Sequence, residues 1–253
     1  MRALSITSLP GIPAIRPGDD LGEIIWQSLG EADLALEDGD IMVVAQKVVS
    51  KAEGMVVSLD DVSISPEAQR LAQAVGKDPR LVEVILRESQ EVLRAARHRL
   101  IVENRQGLIC ANAGVDHSNV SQRDGPQVSL LPEDPDASAE AIRRDLGQRS
   151  GKEVAVIISD SHGRPFREGC VGVAIGVAGL KPLWDRRGQT DLFGRRLIST
   201  QVALADLVAS AALLAIGEAD EGTPVALVRG AQYAPGPGSA KDLLRPKEED
   251  LFR

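Results

Sequence analysis

The sequence predicts an α+β fold of mixed, largely antiparallel sheets with packed helices. Short β-branched runs recur at 41–45, 154–158 and 224–230, each of strand length and bounded by turn residues. Between them lie capped segments whose apolar residues repeat with a helical period. The two kinds of segment do not alternate strictly, as a doubly wound sheet requires.

Taken in order, residues 4–15 are extended and broken by Pro10, Gly11 and Pro13. The turn at 16–20 offers Asp19 or Asp20 as the cap of a helix at 21–29. A buried strand at 41–45 follows, and Gln46 to Lys51 leads on to Gly54. Residues 66–75 read as a helix, and so does the whole of 79–96, from the spacing of Leu81, Val82, Ile85, Leu86 and Leu93. Segments 100–103 and 107–111 form a hairpin around Asn104 to Gln106. A glycine-containing polar loop spans 112–120, and a turn at 132–136 starts a helix at 137–146.

The apolar run 154–158 is the next strand, and it predicts delivery of a polar site at its end. Gly172, Gly176 and Gly179 interrupt apolar sequence where backbone must pass close to another group. Residues 200–216 are an alanine-rich helix, apolar nearly all round, which predicts burial or a helix-packed interface. The chain then reads as one unit over 1–234, with room for two lobes, and a partly ordered tail at 235–253 that is rich in Pro, Gly and charge.

Composition bounds the function. Hydrophobic residues are 43% and aromatic residues 2% of the 253, so the core is built from Val, Ile, Leu and Ala. A formal net charge of −8 argues against a nucleic-acid partner, which needs a basic footprint. Cys110 and Cys170 form no Cys-x-x-Cys pair and read as reduced thiols, a disulfide being the alternative. No apolar h-region follows Met1, and Asp206 and Glu218 punctuate the longest apolar stretch. The expectation is a cytoplasmic protein without a membrane segment.

The segment Ser159-Asp160-Ser161-His162-Gly163-Arg164 combines hard oxygen ligands for Mg²⁺ or Mn²⁺ with a cation that can hold phosphate or carboxylate oxygens. An Asx-capped turn is the other reading of Asp-Ser-x-Gly. Asp116 and Glu218 sit in similar settings beside glycines. Gathered with Asp160 and Ser161, they would form a carboxylate cluster that needs a cation. Lys47 and Lys51 share a face in either a helix or a strand and offer a paired positive site, or two solvated lysines. His117 and His162 stand beside these acids and read as satisfied polar histidines. No Gly-x-x-x-x-Gly-Lys-[Ser/Thr] P-loop, Gly-x-Gly-x-x-Gly fingerprint or Gly-x-Ser-x-Gly elbow occurs, so any nucleotide must be held by other loops.

Several segments together carry a family resemblance. They are Leu9-Pro10-Gly11-Ile12-Pro13 with Arg16-Pro17-Gly18-Asp19-Asp20, and Val48-Val49-Ser50-Lys51-Ala52-Glu53-Gly54. They continue as Ala113-Gly114-Val115-Asp116-His117-Ser118-Asn119-Val120, Leu131-Pro132-Glu133-Asp134-Pro135-Asp136-Ala137-Ser138, and the segment at Ser159 to Arg164. The chain resembles the coenzyme F-420-0:L-glutamate ligases, the γ-glutamyl ligase family of deazaflavin coenzyme biosynthesis, from Leu9 to Gly230.

The resemblance implies an unusual α+β ligase fold and a homodimer. It implies an enzyme that uses GTP with Mg²⁺ or Mn²⁺, with K⁺ as an accompanying cation, to join L-glutamate to F-420-0 and then to add further γ-linked glutamates. By similarity, Asp116, Asp160, Ser161 and Glu218 fall on metal positions, with glutamine in place of Glu218 in some members. Nucleotide positions fall on Ile12, Pro13, Ala14, Ile15, Gln46 (Ser in some members), Lys51 and Asn119. They continue on Ile216, Gly217, Glu218, Ala219, Asp220, Glu221, Gly222 and Thr223. Asp160, Lys51 and Arg164 are the expected catalytic set. A γ-glutamyl or amide ligase with another acceptor and a GTP-binding sensor without catalysis are the alternatives.

Overall fold

The β-branched runs pair with one another. In the computed structural model, which describes residues 3–123 and 125–251, they form one five-stranded sheet. Met1 and Arg2, where the reading of a leaderless N-terminus begins, and Phe252 and Arg253 of the tail lie outside the described residues. The strands are β1 (Ser5–Ser8), β2 (Ile41–Ala45), β8 (Ala155–Arg164), β9 (Arg167–Ala178) and β12 (Val225–Arg229), in the order β1-β12-β2-β8-β9. Only β2 and β8 pair in parallel within it.

Both faces of this sheet are covered, which is why its strands are apolar without alternation. Ile41, Val43, Ala155 and Ile157 pack under α6 (Leu204–Ile216). Met42, Val44, Val156 and Ile158 pack on the other face against α1 (Leu21–Glu31) and α5 (Pro135–Ser150). Each fully buried isoleucine contributes about 1.5–3 kcal/mol relative to exposure. The glycines of β9 let the helices come close. A Cβ on Gly172 would lie 2.5 Å from the Ala209 carbonyl oxygen, and one on Gly176 2.3 Å from that of Pro135. The free edge of β9 is closed by carboxylates, Asp206 accepting from Ala174 N–H at 2.9 Å and Asp136 from Val177 N–H at 2.8 Å.

A separate apolar cluster joins α3 (Pro66–Val75) and α4 (Pro79–Arg87) to the sheet of β4 (Ser89–Ala96), β5 (Arg99–Asn104) and β6 (Ile109–Ala111). Small pairs join β3 (Val56–Ser58) to β7 (Gln127–Ser129) and β10 (Leu183–Asp185) to β11 (Gln201–Ala203). The fold is α+β with mostly antiparallel pairing, as the sequence predicts.

Some boundaries differ. The expected single helix over 79–96 ends at Arg87, and 89–96 is a strand. The Ser89 hydroxyl donates back to Ile85 O at 2.6 Å, and β5 supplies a ladder for the segment beyond. Tertiary pairing therefore overrides the local period. The apolar run 154–158 does not end in a turn. β8 continues through Arg164 because β9 pairs with its polar half, Asp160 opposite Val173 and Ser161 opposite Gly172. The helix expected at 200–216 starts at Leu204, after β11, and Leu207 and Leu214 are exposed, so its burial is one-sided. Asp20 is the cap of α1, while Asp19 accepts from Arg16 N–H. Gln46 begins a helix, α2 (Gln46–Ala52). The tail is anchored, with Ser239 Oγ and Ala240 N–H donating to Asp136.

Candidate functional site

Four segments converge beyond the end of the central sheet. They are α2, the loop after β6, the polar half of β8 and the loop after α6. Lys47 and Lys51 share the helical face of α2. Lys47 Nζ donates to Asp116 Oδ2 at 2.6 Å and to Ser118 O at 2.9 Å, clamping the loop after β6 onto α2. Asp116 also accepts from Ser118 N–H at 2.9 Å. Burial pulls its carboxyl upward, but Lys47 and the Ser118 hydroxyl and N–H together hold it below the usual carboxylate range. Burial lowers the Lys51 ammonium, and the neighbouring Lys47 charge lowers it further.

The same loop reaches across the site. Asn119, held at φ 53°, donates from Nδ2 to Ala219 O at 3.2 Å. The loop after α6 is then tied to β8, because Ser161 Oγ donates to Glu218 Oε1. Asp160 lies on the opposite face of the ribbon from Ser161, since neighbours along a strand alternate. Its Oδ2 is 2.9 Å from His162 Nε2. Its charge also bears on Cys110, whose buried thiol is pushed up to about 12 by burial first and by Asp160 second. The Cys110 thiol in turn meets Gly114 N–H, which places Asp160 beside the loop that carries Asp116.

The remaining expected positions fall as follows. Ile12, Pro13, Ala14 and Ile15 form the loop after β1, with Ile15 buried and Pro13 and Ala14 exposed. Gln46 is buried and accepts from Ser50 Oγ at 2.8 Å, so its side chain is turned into the fold. Ile216 is buried, and Thr223 Oγ1 donates to Ala215 O and Ile216 O at 3.3 and 3.2 Å, closing the end of α6. Gly217, Ala219, Asp220 and Gly222 make up the loop between, with Asp220 exposed. Glu221 accepts from Ala219 N–H at 2.8 Å, and backbone N–H groups hold its carboxyl below the usual range. Arg164 donates from Nη2 to Glu168 O at 3.1 Å within the ribbon's own turn. It stands four residues, about 13 Å of strand, from Asp160.

The acids are brought to one region, but each has its own partner. Among the described residues, no three His, Cys, Asp or Glu side chains gather closely enough to enclose a metal ion by themselves. The donor set still fits a hard cation. Mg²⁺ is commonly held by one or two carboxylates, with phosphate and water completing its shell. Asp160 with Asp116, and Ser161 with Glu218, offer such partial sets on the two sides of the ribbon. Reading the sequence alone missed Ser118 and the clamping role of Lys47. The lysine spacing was the available signal, whereas nothing local marks Ser118.

The matches to known proteins span the segments described above. The family described as F420-0:Gamma-glutamyl ligase matches residues 11–230. A protein named Coenzyme F420:L-glutamate ligase from Methanothermobacter thermautotrophicus is 50% identical over 252 residues, 99% of each chain. A protein of the same name from Methanocaldococcus jannaschii is 48% identical over 244 residues, 96% of this chain and 94% of its own. One from Archaeoglobus fulgidus is 41% identical over 250 residues, 99% of this chain and 96% of its own. Among the described residues, no helix is long and apolar enough to cross a membrane.

Proposed function

This chain belongs to the F420-0:gamma-glutamyl ligase family, and we propose on that premise that it joins L-glutamate to F420-0 as an amide, with GTP as co-substrate. Further γ-linked glutamates follow by the same chemistry. The observation that supports this reading best is the Ser161–Glu218 hydrogen bond, which ties the loop after α6 to the polar ribbon beside Asp160. It brings oxygen donors from distant parts of the chain to one ribbon, Ser161 and Glu218 on one side and Asp160 on the other.

A free carboxylate is a poor acyl donor. In the proposed reaction its oxygen attacks the γ-phosphorus of GTP, the bond to the β-phosphate oxygen breaks and GDP leaves. The glutamate amine, having lost its ammonium proton, then attacks the acyl carbon, and phosphate leaves. Phosphoryl transfer of this kind depends mainly on positioning and charge neutralisation. Asp116, Asp160, Ser161 and Glu218 would hold Mg²⁺ or Mn²⁺, which supplies charge neutralisation at phosphate oxygens when bound. Lys51 neutralises further charge, with Arg164 farther along the ribbon. A phosphate oxygen beside Lys51 would offset the burial and the Lys47 charge that lower its ammonium. The loops at 12–15 and 216–223, with Asn119 and Lys51, enclose the nucleotide; K⁺ accompanies it. Gln46 supports α2 from the core side.

We also propose a homodimer in the cytoplasm. The β10–β11 excursion exposes Leu192 and Phe193 at 99% and 96%, and α6 exposes Leu214 at 89%. Apolar side chains this open are expected to meet a partner surface. Sedimentation of the pure protein tests this, and a monomer at micromolar concentration refutes it.

The catalytic reading is tested by incubating the protein with F420-0, L-glutamate, GTP and Mn²⁺ and weighing the product. A mass gain of one or more glutamyl units is expected. No gain under any metal or nucleotide refutes it. Phosphate release without glutamyl product would instead favour another acceptor.

A further inference from the structure

Asp160 and His162 stand two residues apart on β8, so their side chains leave the same face of the ribbon. β9 holds both backbones, pairing Asp160 with Val173 and His162 with Val171. The ladder therefore sets the spacing of the two side chains. His162 Nε2 lies 2.9 Å from Asp160 Oδ2. An ionised carboxylate only accepts, so the imidazole donates from Nε2. Both side chains are mostly buried, and a hydrogen bond so placed is electrostatically stronger than one in water.

This bond divides the carboxylate. Oδ2 is held by His162, whereas Oδ1 accepts from no protein donor among the described residues and is not sealed from solvent. One oxygen is fixed and the other is left open. The other acids of the site are held in the same manner, Asp116 by Lys47 and Ser118 and Glu218 by Ser161. Among the described residues, His162 alone orients the Asp160 carboxylate by a hydrogen bond.

We propose that His162 is a positioning residue, which by holding Oδ2 turns Oδ1 of Asp160 toward a divalent cation such as Mg²⁺ or Mn²⁺. This rests on the metal-dependent reading above, in which Asp160 is a ligand. A carboxylate free to rotate gives up that freedom when it binds a cation, and one already held does not. Partners that orient a metal ligand from outside typically change metal affinity by about 10–100-fold. His162 acts through Asp160, since its Nε2 is occupied by that bond.

The test titrates Mn²⁺ alone into the full chain, read from the electron paramagnetic resonance of the free ion, and repeats it with GDP present. His162→Phe keeps a ring but removes the donor, and is expected to weaken Mn²⁺ binding by about tenfold or more. His162→Ala replaces it should the larger side chain lower Tm. His162→Gln offers an amide N–H near the position of Nε2 and should bind Mn²⁺ almost as wild type does. In the product assay, the Mn²⁺ concentration for half-maximal rate should rise in His162→Phe by the same factor, with the rate at saturating Mn²⁺ near that of wild type. A merely structural role would lower that saturating rate instead. Wild-type Mn²⁺ affinity in the variants without a donor overturns the proposal. So does an equal loss in His162→Gln, which would make the imidazole itself the ligand or a packing element. Failure of the wild-type chain to bind Mn²⁺ under either condition also overturns it. Absence of glutamylated product with the Mn²⁺ pattern intact overturns the ligase reading alone.

Discussion

The Ser161 hydroxyl donates to the Glu218 carboxylate across 57 positions of sequence. This contact joins the polar half of β8 to the loop after α6, and Asn119 joins that loop to the segment clamped by Lys47. The candidate site is therefore a series of segments joined by side-chain bonds, not a single preformed cage.

Asp160→Asn is expected to remove turnover while leaving the fold intact. The substitution keeps shape and a hydrogen-bond acceptor for His162 but removes the charge that would face a cation. Loss of a metal ligand removes several kcal/mol of transition-state stabilisation, a hundredfold or more in rate at about 1.36 kcal/mol per decade. Product mass against time, with thermal melting alongside, measures both. Activity near wild type would take Asp160 out of the metal site.

At position 218 the oxygen matters more than the charge. Glu218→Gln keeps an oxygen for Ser161 and for a cation, so it should retain most activity. Glu218→Ala and Ser161→Ala should each lower it by at least tenfold, about 1.4 kcal/mol. Because the two side chains bond to each other, the double variant should lose less than the sum of the singles. Additive losses measured as kcat/KM would show that the pair does not act together.

Much of this was legible in the chain. The strand at 41–45 was visible as an unbroken apolar run, rich in β-branched residues, because both faces of the sheet are covered. The close approaches at Gly172 and Gly176 were visible because nothing but glycine interrupts that apolar stretch. The strand at 89–96 was hidden, since its spacing continues the helical period of α4 and only β5 turns it into a ladder. The extension of β8 through Asp160 was hidden for a related reason, as polar residues join a strand only when a partner such as β9 pairs with them. The clamp from Lys47 to Asp116 spans 69 positions, beyond any local pattern.

Acid should weaken the Lys47–Asp116 clamp in a predictable window. The folded Asp116 carboxyl titrates below its unfolded value, near 3.9. The unfolded chain therefore binds more protons in that window, and stability rises with pH there. The contribution is fully present above the unfolded value and is lost as pH falls through the folded one. The side chain is 47% exposed, so screening keeps it below about 1 kcal/mol. Urea unfolding of wild type, Asp116→Asn and Lys47→Met at pH 7 and pH 3 measures it. The gaps between wild type and each variant should shrink at pH 3, and equal gaps at both values would rule out the ion pair as their source.

Gly176→Ala should be among the most destabilising alanine substitutions on the central sheet. The new methyl would lie 2.3 Å from Pro135 O and 2.5 Å from Pro135 C, backbone atoms that cannot rotate away. Relief requires the start of α5 to lift from β9, which would strain the bond from Val177 N–H to Asp136 and loosen the tail that Asp136 anchors. Overpacking of this kind costs about 1–3 kcal/mol, and each kcal/mol lowers Tm by about 2–4 °C in a chain of this size. Gly172→Ala meets Ala209 O at 2.5 Å and should behave alike through α6. Gly163→Ala is the control, since nothing lies within 4 Å of its Cβ position. Thermal melts of the three variants decide the matter: equal Tm values would mean that the helices yield to a methyl at no cost, and that β9 does not set their distance from the sheet.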